Sequence, residues 1–461
     1  MLNSPDARRR GLIFFWVLCS LLGNSGIAIG QADSTEVLGA TLRGWEDNAR
    51  LTILDRGGSF HGRTSDRGIL QRFTEQLEDE YSLDLISFGF SLSEDYEWYR
   101  RREGFRWSGG SINHRFLVQD AEAAGNFALG EAWNFGVLFN LQNTLQADRQ
   151  AVRVGFGHSW AGGRANAFVI SLLTADKPEI DLEVGFKWKA QPGELTVAFG
   201  ALDLFSDLIY QDLGVTAAQA QEVLDYTAHP YTLRVALELP FARHLRTEVF
   251  GLVMSPTEVT VVQQSGDPDG FEQKERYAYA GGLLEWSGSP ASAFGLLGTW
   301  VRARLGRTPV EGGNPVHAFD LTEENTQLRA YGIQRFGRFL AEAWIAHVWR
   351  LEDRLRPDTT VAASIDYEDR TWAGRVTMTY RAKSGFRAEM GVDFVERDVV
   401  GLDRLPGQFL GRNHSRLRLD VGWRFGRNAL FVVGTNLDLD GDRGTATGAF
   451  DGAHGRFQVY W

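Results

Sequence analysis

The sequence predicts an all-β fold, a transmembrane antiparallel β-barrel of about eighteen strands, with twenty as the alternative count and short helical segments in an outer loop and near the N-terminus. Three observations predict it. Apolar and polar residues alternate with period two through most of the chain beyond residue 80. The alternating runs are about ten residues long and carry aromatics at the ends of their apolar faces, as at Trp133, Trp160, Trp188, Trp423 and Trp461. The runs follow one another as a single series of hairpins, where a soluble sandwich of that length would split into domains.

The N-terminus sets the compartment. Arg8, Arg9 and Arg10 precede an apolar run from Leu12 to Leu22, and Ala28-Ile29-Gly30 places small residues where a signal peptidase reads, so residues 1–30 form a signal peptide. A run of roughly 11 apolar residues is too short to cross a bilayer as a helix. A lipoprotein signal built on Cys19 is disfavoured, because Leu18 stands where a small residue is needed. Cys19 is the only cysteine and leaves with the signal, which excludes disulfides and thiol catalysis from the mature chain. Loss of Arg8, Arg9, Arg10 and Asp6 takes the formal charge from −11 to −13, a balance that argues against nucleic acid as a partner. The mean hydropathy is −0.24 and no second long apolar run exists, which rules out a helical membrane protein.

Residues 31–80 are an N-terminal segment, periplasmic or lumenal. Ile69, Leu70, Phe73 and Leu77 have helical spacing, and a helix plugging the lumen, a periplasmic helix and one more strand are all open. Residues 81–461 make the barrel. From Ile180, Ile180, Leu182, Val184, Phe186 and Trp188 share one face, opposed by Asp181, Glu183, Gly185, Lys187 and Lys189. The same alternation recurs at Trp133–Gln142, Tyr231–Leu239, Thr371–Arg381, Phe386–Arg397 and Ser415–Phe425. Candidate strands begin near 84, 112, 131, 150, 164, 180, 193, 230, 245, 276, 293, 326, 339, 359, 371, 386, 415, 428 and 453. That count is odd, whereas bacterial single-chain barrels have even numbers, and the alternation of short and long connections breaks between Arg350 and Asn413, where the surplus or missing strand is expected. Thr216–Tyr226 has Ala and Leu spacing suited to a short helix in an outer loop.

With apolar faces toward lipid, the polar faces line the lumen. This assigns Asp181, Glu183, Lys187, Lys189, Arg375, Arg381, Arg387, Glu389, Asp393, Arg416, Arg418, Asp420 and Arg424 to the inner wall. Two readings of these charges stand: ladders that neutralise one another across strands, or a basic strip that draws anions into the pore. Polar replacements at Glu183 or Arg418 are expected to be tolerated on a water-filled wall.

Catalytic and metal signals are weak. His158-Ser159 and His414-Ser415 are similar to the histidine and serine of outer-membrane lipases and deacylases. Adjacent strand residues point to opposite faces, so neither pair reaches the roughly 3 Å of a base-to-nucleophile bond, and no enzyme is expected. Asp438, Asp440 and Asp442 have the spacing of a calcium loop, but Arg443 takes the glycine position and the twelfth-place glutamate is lacking, which leaves an acidic loop. No nucleotide, haem or zinc pattern is present and no cofactor is implied.

The chain closes on "GRFQVYW", alternating Phe457, Val459 and Trp461 against Arg456, Gln458 and Tyr460. With its signal peptide and strand pattern, it resembles the Gram-negative outer-membrane β-barrel class, porin-like in outline. The resemblance implies that Phe457, Val459 and Trp461 form the assembly signal read by the barrel assembly machinery. The glycine that usually stands five places before the final aromatic falls one place early, at Gly455. Residues 367–398 also resemble a strand pair of large outer-membrane barrels that carry a carbohydrate-binding-like periplasmic domain, for which the chain ahead of this barrel leaves no room. The function expected is passive passage of small hydrophilic solutes through a polar lumen, with a non-transporting scaffold or binding barrel as the alternative. Outer-membrane lipid, the assembly machinery and small solutes are the expected partners.

Overall fold

The computed structural model describes residues 89–94, 98 and 103–461, other than the stretches 113–115, 144–147, 174–177, 191–192, 202–223, 227–230, 243, 262–270, 290–291, 310–318, 356–363, 401–413, 427 and 441–449. The signal peptide, the helical pattern at residues 69–77 and most of the Thr216–Tyr226 segment lie outside the described residues. The strands are β1 Gly104–Ile112, β2 Phe116–Ala128, β3 Trp133–Asn143, β4 Asp148–Trp160, β5 Gly163–Leu173, β6 Pro178–Ala190, β7 Gly193–Ala201, β8 Leu224–Tyr226, β9 Tyr231–Ala242 and β10 Leu245–Val261. They continue as β11 Phe271–Ser289, β12 Ser292–Pro309, β13 Phe319–Phe336, β14 Phe339–Leu355, β15 Ser364–Arg381, β16 Phe386–Val400, β17 His414–Phe425, β18 Ala429–Asp438 and β19 Phe450–Tyr460.

Every long strand pairs antiparallel with its neighbours on both sides. β7 passes directly to β9, because β8 only adds a three-residue rung to the end of β10. The ladder returns on itself where β19 pairs with β1, from Gly104↔Tyr460 to Gly110↔His454, and β1 pairs with β2. Eighteen strands thus form the ring, and among the described residues no long edge is left unpaired, as hydrocarbon requires.

Three expectations change. The candidates at 359 and 371 are one strand, β15, long enough to hold both apolar runs, and this removes the surplus strand from the region where connection lengths clashed. The wall begins at Gly104; the candidate near 84 is not extended over its described residues, since Gly89–Glu94 form a bend and a helical turn. Leu224–Tyr226, assigned to a helix, is strand, because Val259–Val261 of β10 overhang far enough to pair with it.

From β3 onward, shorter and longer connections alternate. Those after β4, β13 and β17 are tight turns, with Gly337 (φ 59°) and Gly426 (φ 61°) supplying the left-handed backbone that two of them need. The wider spacings, after β7, β10, β12, β14, β16 and β18, fall at the other end. The first strand starts and the last strand ends at the tight-turn end, which in an outer-membrane barrel is the periplasmic one.

The outer surface shows why the strands alternate. At the tight-turn end Trp133, Trp160, Trp188, Trp286, Phe339, Trp423 and Trp461 are exposed, forming one aromatic belt. Trp300, Trp349 and Trp372 mark a second belt toward the other end. Along β14, Phe339 to Trp349 spans about 33 Å of strand, or about 25 Å of height at a tilt near 40°, which matches the apolar band of a membrane barrel. Val249, Val253, Leu296, Leu328, Met390, Leu419 and Val433 lie exposed between the belts, the apolar band that a membrane barrel turns to lipid. Beyond the second belt the outer face turns charged, with Arg302 paired to Glu324 at 3.2 Å and Arg304 to Asp320, so these strands continue into water.

The end of the chain is tied on both edges. The Tyr460 amide donates to the Asn428 carbonyl at 2.8 Å, and its ring lies 5.9 Å from that of Trp98 inside the barrel. Phe457 faces out against Phe105 at 6.4 Å, Val459 shares its face, and Trp461 is 64% exposed. Removing Tyr460 and Trp461 takes away one rung of the seam and leaves Val459 to His454 paired with β1. The truncated chain is therefore expected to fail in assembly rather than by an opened seam. Its level in outer-membrane fractions should fall, with periplasmic degradation, and normal levels would show the terminal pair to be dispensable.

Candidate functional site

Inside the barrel, the inward positions of β14 to β19 and β1 carry a charge network that excludes water. Arg375 donates to Asp393 at 2.7 Å, Arg387 pairs with Glu389, and Arg416 with Asp451. Arg418 lies between Asp420 at 2.8 Å and Glu389 at 3.2 Å, and Arg456 reaches Asp420 at 2.9 Å. His454 Nε2 meets the other Asp420 oxygen at 2.8 Å. Register explains the meeting: Arg375↔Asp393, Glu389↔Asp420 and Gly391↔Arg418 are direct cross-strand partners. Gly434 makes room for it, since a Cβ there would stand 2.1 Å from Asp420 Oδ1 and 2.6 Å from His454 Nε2. Arg418, Arg456, Gln458 and Asp393 are all 0% exposed.

The cover is a segment of the chain itself. Gly89–Glu94 and Trp98 lie within the lumen, ahead of β1, and are held by side chains of the wall. The Gly89 carbonyl accepts from Arg418 and Arg456 at 3.3 Å and from Arg375 at 3.5 Å. Arg375 also donates to the Phe90 carbonyl, Arg381 to Ser93 Oγ at 2.9 Å, and Gln458 to the Glu94 carbonyl. The Ser93 amide donates to Glu342, and the Glu94 carboxylate pairs with Arg387. Phe90 and Trp98 lie over the Arg106 guanidinium at 5.1 and 5.2 Å, and Arg106 is itself paired with Glu122. Among the described residues no backbone–backbone hydrogen bond joins this segment to the wall.

Of the sequence-assigned inner residues, Arg375, Arg387, Glu389, Asp393, Arg416, Arg418 and Asp420 meet in this network. Arg381 sits at its border, and Arg424 occupies an inward position near the β17–β18 turn. Glu183 and Lys187 lie on a different arc, on β6, where they pair with Arg234 at 3.0 Å and with Glu194. Asp181 and Lys189 hold inward register positions on the same strand. Arg375, Arg387, Arg416 and Arg418 are each ion-paired, in the manner of a neutralising ladder and not of an open basic strip, while Arg381 meets Ser93 Oγ. Tolerance of polar replacements at Glu183 and Arg418 is withdrawn for the same reason: both are buried and ion-paired.

Alternation could not reveal Glu94, which lies ahead of the wall; Arg456, Gln458 and His454 share the polar face of the last strand but were not assigned to the inner set. One local signal did exist. Ser91-Leu92-Ser93-Glu94 has the S-x-x-E spacing of a helix start, and Glu94 Oε2 does accept from the Ser91 amide at 2.7 Å, a bond that a strand would not make. A second departure lies on β10 to β14, whose inner face is largely apolar. Phe250, Leu252, Tyr279, Leu297, Val301 and Trp344 form one cluster there, joined by Leu92 of the inserted segment.

The weaker signals resolve into structure. His158 faces outward beside Trp133, ring centroids 4.6 Å apart. The Asp440 carboxylate accepts the Ser415 amide at the start of β17, and the Asp438 carboxylate accepts the Asp440 amide at 2.9 Å, so both shape a turn.

No protein-family model and no curated protein matches the sequence. Solved structures similar in fold are outer-membrane proteins. OmpT of Vibrio cholerae shares 11% identity over 78% of this chain and 96% of its own, with a TM-score of 0.35. OccK10 of Pseudomonas aeruginosa shares 11% over 78% and 98%, at 0.35. Wzi of Escherichia coli, described as a carbohydrate-binding β-barrel involved in group 1 capsule assembly, shares 8% over 89% and 97%, at 0.36.

Proposed function

We infer from its closed wall, two aromatic belts and apolar outer band that this chain is an outer-membrane β-barrel. We propose that it is a channel for small hydrophilic solutes in a Gram-negative bacterium, exported by the leader at residues 1–30, without catalysis, and gated by the segment around Gly89–Trp98. The observation that carries this reading is the way the segment is held. Its described residues are held by wall side chains, ring contacts and the packing of Leu92, with no backbone–backbone rung, so the segment can leave without breaking the ladder of the barrel. An eighteen-stranded ring is wide enough for an aqueous path once that segment moves.

The second reading is a permanently occluded barrel that serves as a scaffold or binding protein, favoured by the complete exclusion of water from Arg418, Arg456 and Gln458. Conductance separates the two. Wild-type protein in planar bilayers is expected to open in brief events. Phe90→Ala with Trp98→Ala should raise the open fraction about fivefold or more, since each cation–π contact contributes about 1 kcal/mol. A chain that stays silent in both forms while fully folded is the occluded barrel.

A further inference from the structure

We propose that Arg375, Arg387, Arg418 and Arg456 form a binding site for an oxyanionic solute, one bearing carboxylate or phosphate groups, and that Gly89–Glu94 occupies this site as a built-in stand-in for it. The proposal rests on the channel reading and names the solute class for the same lumen.

Charge balance points to the site first. Among the described residues the ion-paired network holds five wall arginines, the four above and Arg416, and four wall carboxylates, on Glu389, Asp393, Asp420 and Asp451, while Arg381 and Glu342 at its border add one charge of each sign. The fifth negative charge is Glu94, which comes from the inserted segment and pairs with Arg387 while lying 3.5 Å from Arg456 Nε. A wall without the segment would open to the lumen with one cation of the network uncompensated, between low-dielectric walls that strengthen its attraction for an anion.

Geometry points the same way. Three guanidinium Nη1 atoms, from Arg375, Arg418 and Arg456, converge within 3.5 Å of one neutral oxygen, the Gly89 carbonyl. A carbonyl offers two lone pairs and only a partial charge, so three cationic donors exceed what it can satisfy, and each bond is long for a charge-assisted one. Arg375 Nη2, on a residue 5% exposed, finds no acceptor among the described residues. An oxygen of a carboxylate or phosphate at the Gly89 position would accept all three at shorter range, and a second anionic group would take the place of Glu94 beside Arg387. The segment thus copies two acceptors of a polyanion, one well and one poorly. A solute that supplies both as true anions displaces it.

The test is binding, read apart from conduction. Isothermal titration of the full-length folded protein in detergent micelles uses citrate, inorganic phosphate and neutral glucose as probes. Glu94→Gln keeps the size of the side chain and an acceptor for the Ser91 amide but removes the competing charge. It is expected to bind citrate, phosphate or both at least about tenfold more tightly than wild type, with no gain for glucose; which probe gains identifies the group preferred. Adding Arg375→Gln should abolish the gain, with heat-modifiable migration checking that the barrel remains folded. Equal affinity of wild type and Glu94→Gln for both anions, or an equal gain for glucose, would overturn the site. Anion binding by a barrel that never conducts would instead overturn the channel and leave the site standing.

Discussion

Arg418→Met is expected to lower the stability of the folded barrel by about 3–5 kcal/mol, toward the lower end of that range, because it leaves buried carboxylates without their cation. Arg418 is 0% exposed and stands between Asp420 at 2.8 Å and Glu389 at 3.2 Å. Methionine fills much of the volume, so packing changes little and the loss is electrostatic. Arg456 and His454 still face Asp420, and Arg387 still faces Glu389, which moderates the effect. Equilibrium unfolding by urea in lipid vesicles measures it. Adding Asp420→Asn should restore part of the loss, since one unpaired charge goes with it. A single variant as stable as wild type would mean that this network carries no net pairing energy.

Leu419→Arg, one residue further along the same strand, is expected to impair membrane insertion by about 2–4 kcal/mol, the cost of an arginine facing lipid near the midplane. Leu419 lies on the outer face, 38% exposed, four residues from the belt tryptophan Trp423. That separation is about 13 Å along the strand and about 10 Å in height, near the middle of the apolar band. Val184, at the same spacing from Trp188 on β6, should behave alike when changed to arginine. Folding yield into phospholipid vesicles, read as heat-modifiable protein, reports the effect. Wild-type yields for both variants would refute the assignment of the outer face. Arg418 and Leu419 thus make a paired test: on neighbouring positions, the cation is required inside and excluded outside.

The wall was legible because a barrel asks for one local property at every strand, a change of face at each residue. Leu417, Leu419, Val421 and Trp423 against Arg416, Arg418 and Asp420 show it directly in the sequence, and the structure turns those two sets to lipid and lumen. A break in the apolar alternation likewise marks the tight turn between β4 and β5. Alternation failed where the pattern is not local. A strand that outruns the membrane, such as β15, holds two apolar runs and reads as two strands. A strand apolar on both faces, such as β10 at Phe250 to Met254, hides which side is inner, because its inward side chains pack against other lumenal groups instead of water.

The sequence by itself determined the class of fold, the strand count to within one or two, and which face of β15 to β17 carries charge, since each follows from side-chain alternation along a single strand. Only the tertiary structure decided what those charges do. Whether Arg418 lies free in a pore or closed between Asp420 and Glu389 depends on the register of three strands and on a glycine at 434, none of which alternation specifies. That Gly89–Glu94 enters the lumen, bringing the fifth carboxylate to five arginines, depends on contacts across separations of more than 280 residues, from Arg375, Arg387, Arg418 and Arg456. Local propensity holds no record of such a distance; ring closure creates it, by setting the last strands of the barrel around the segment that precedes the first.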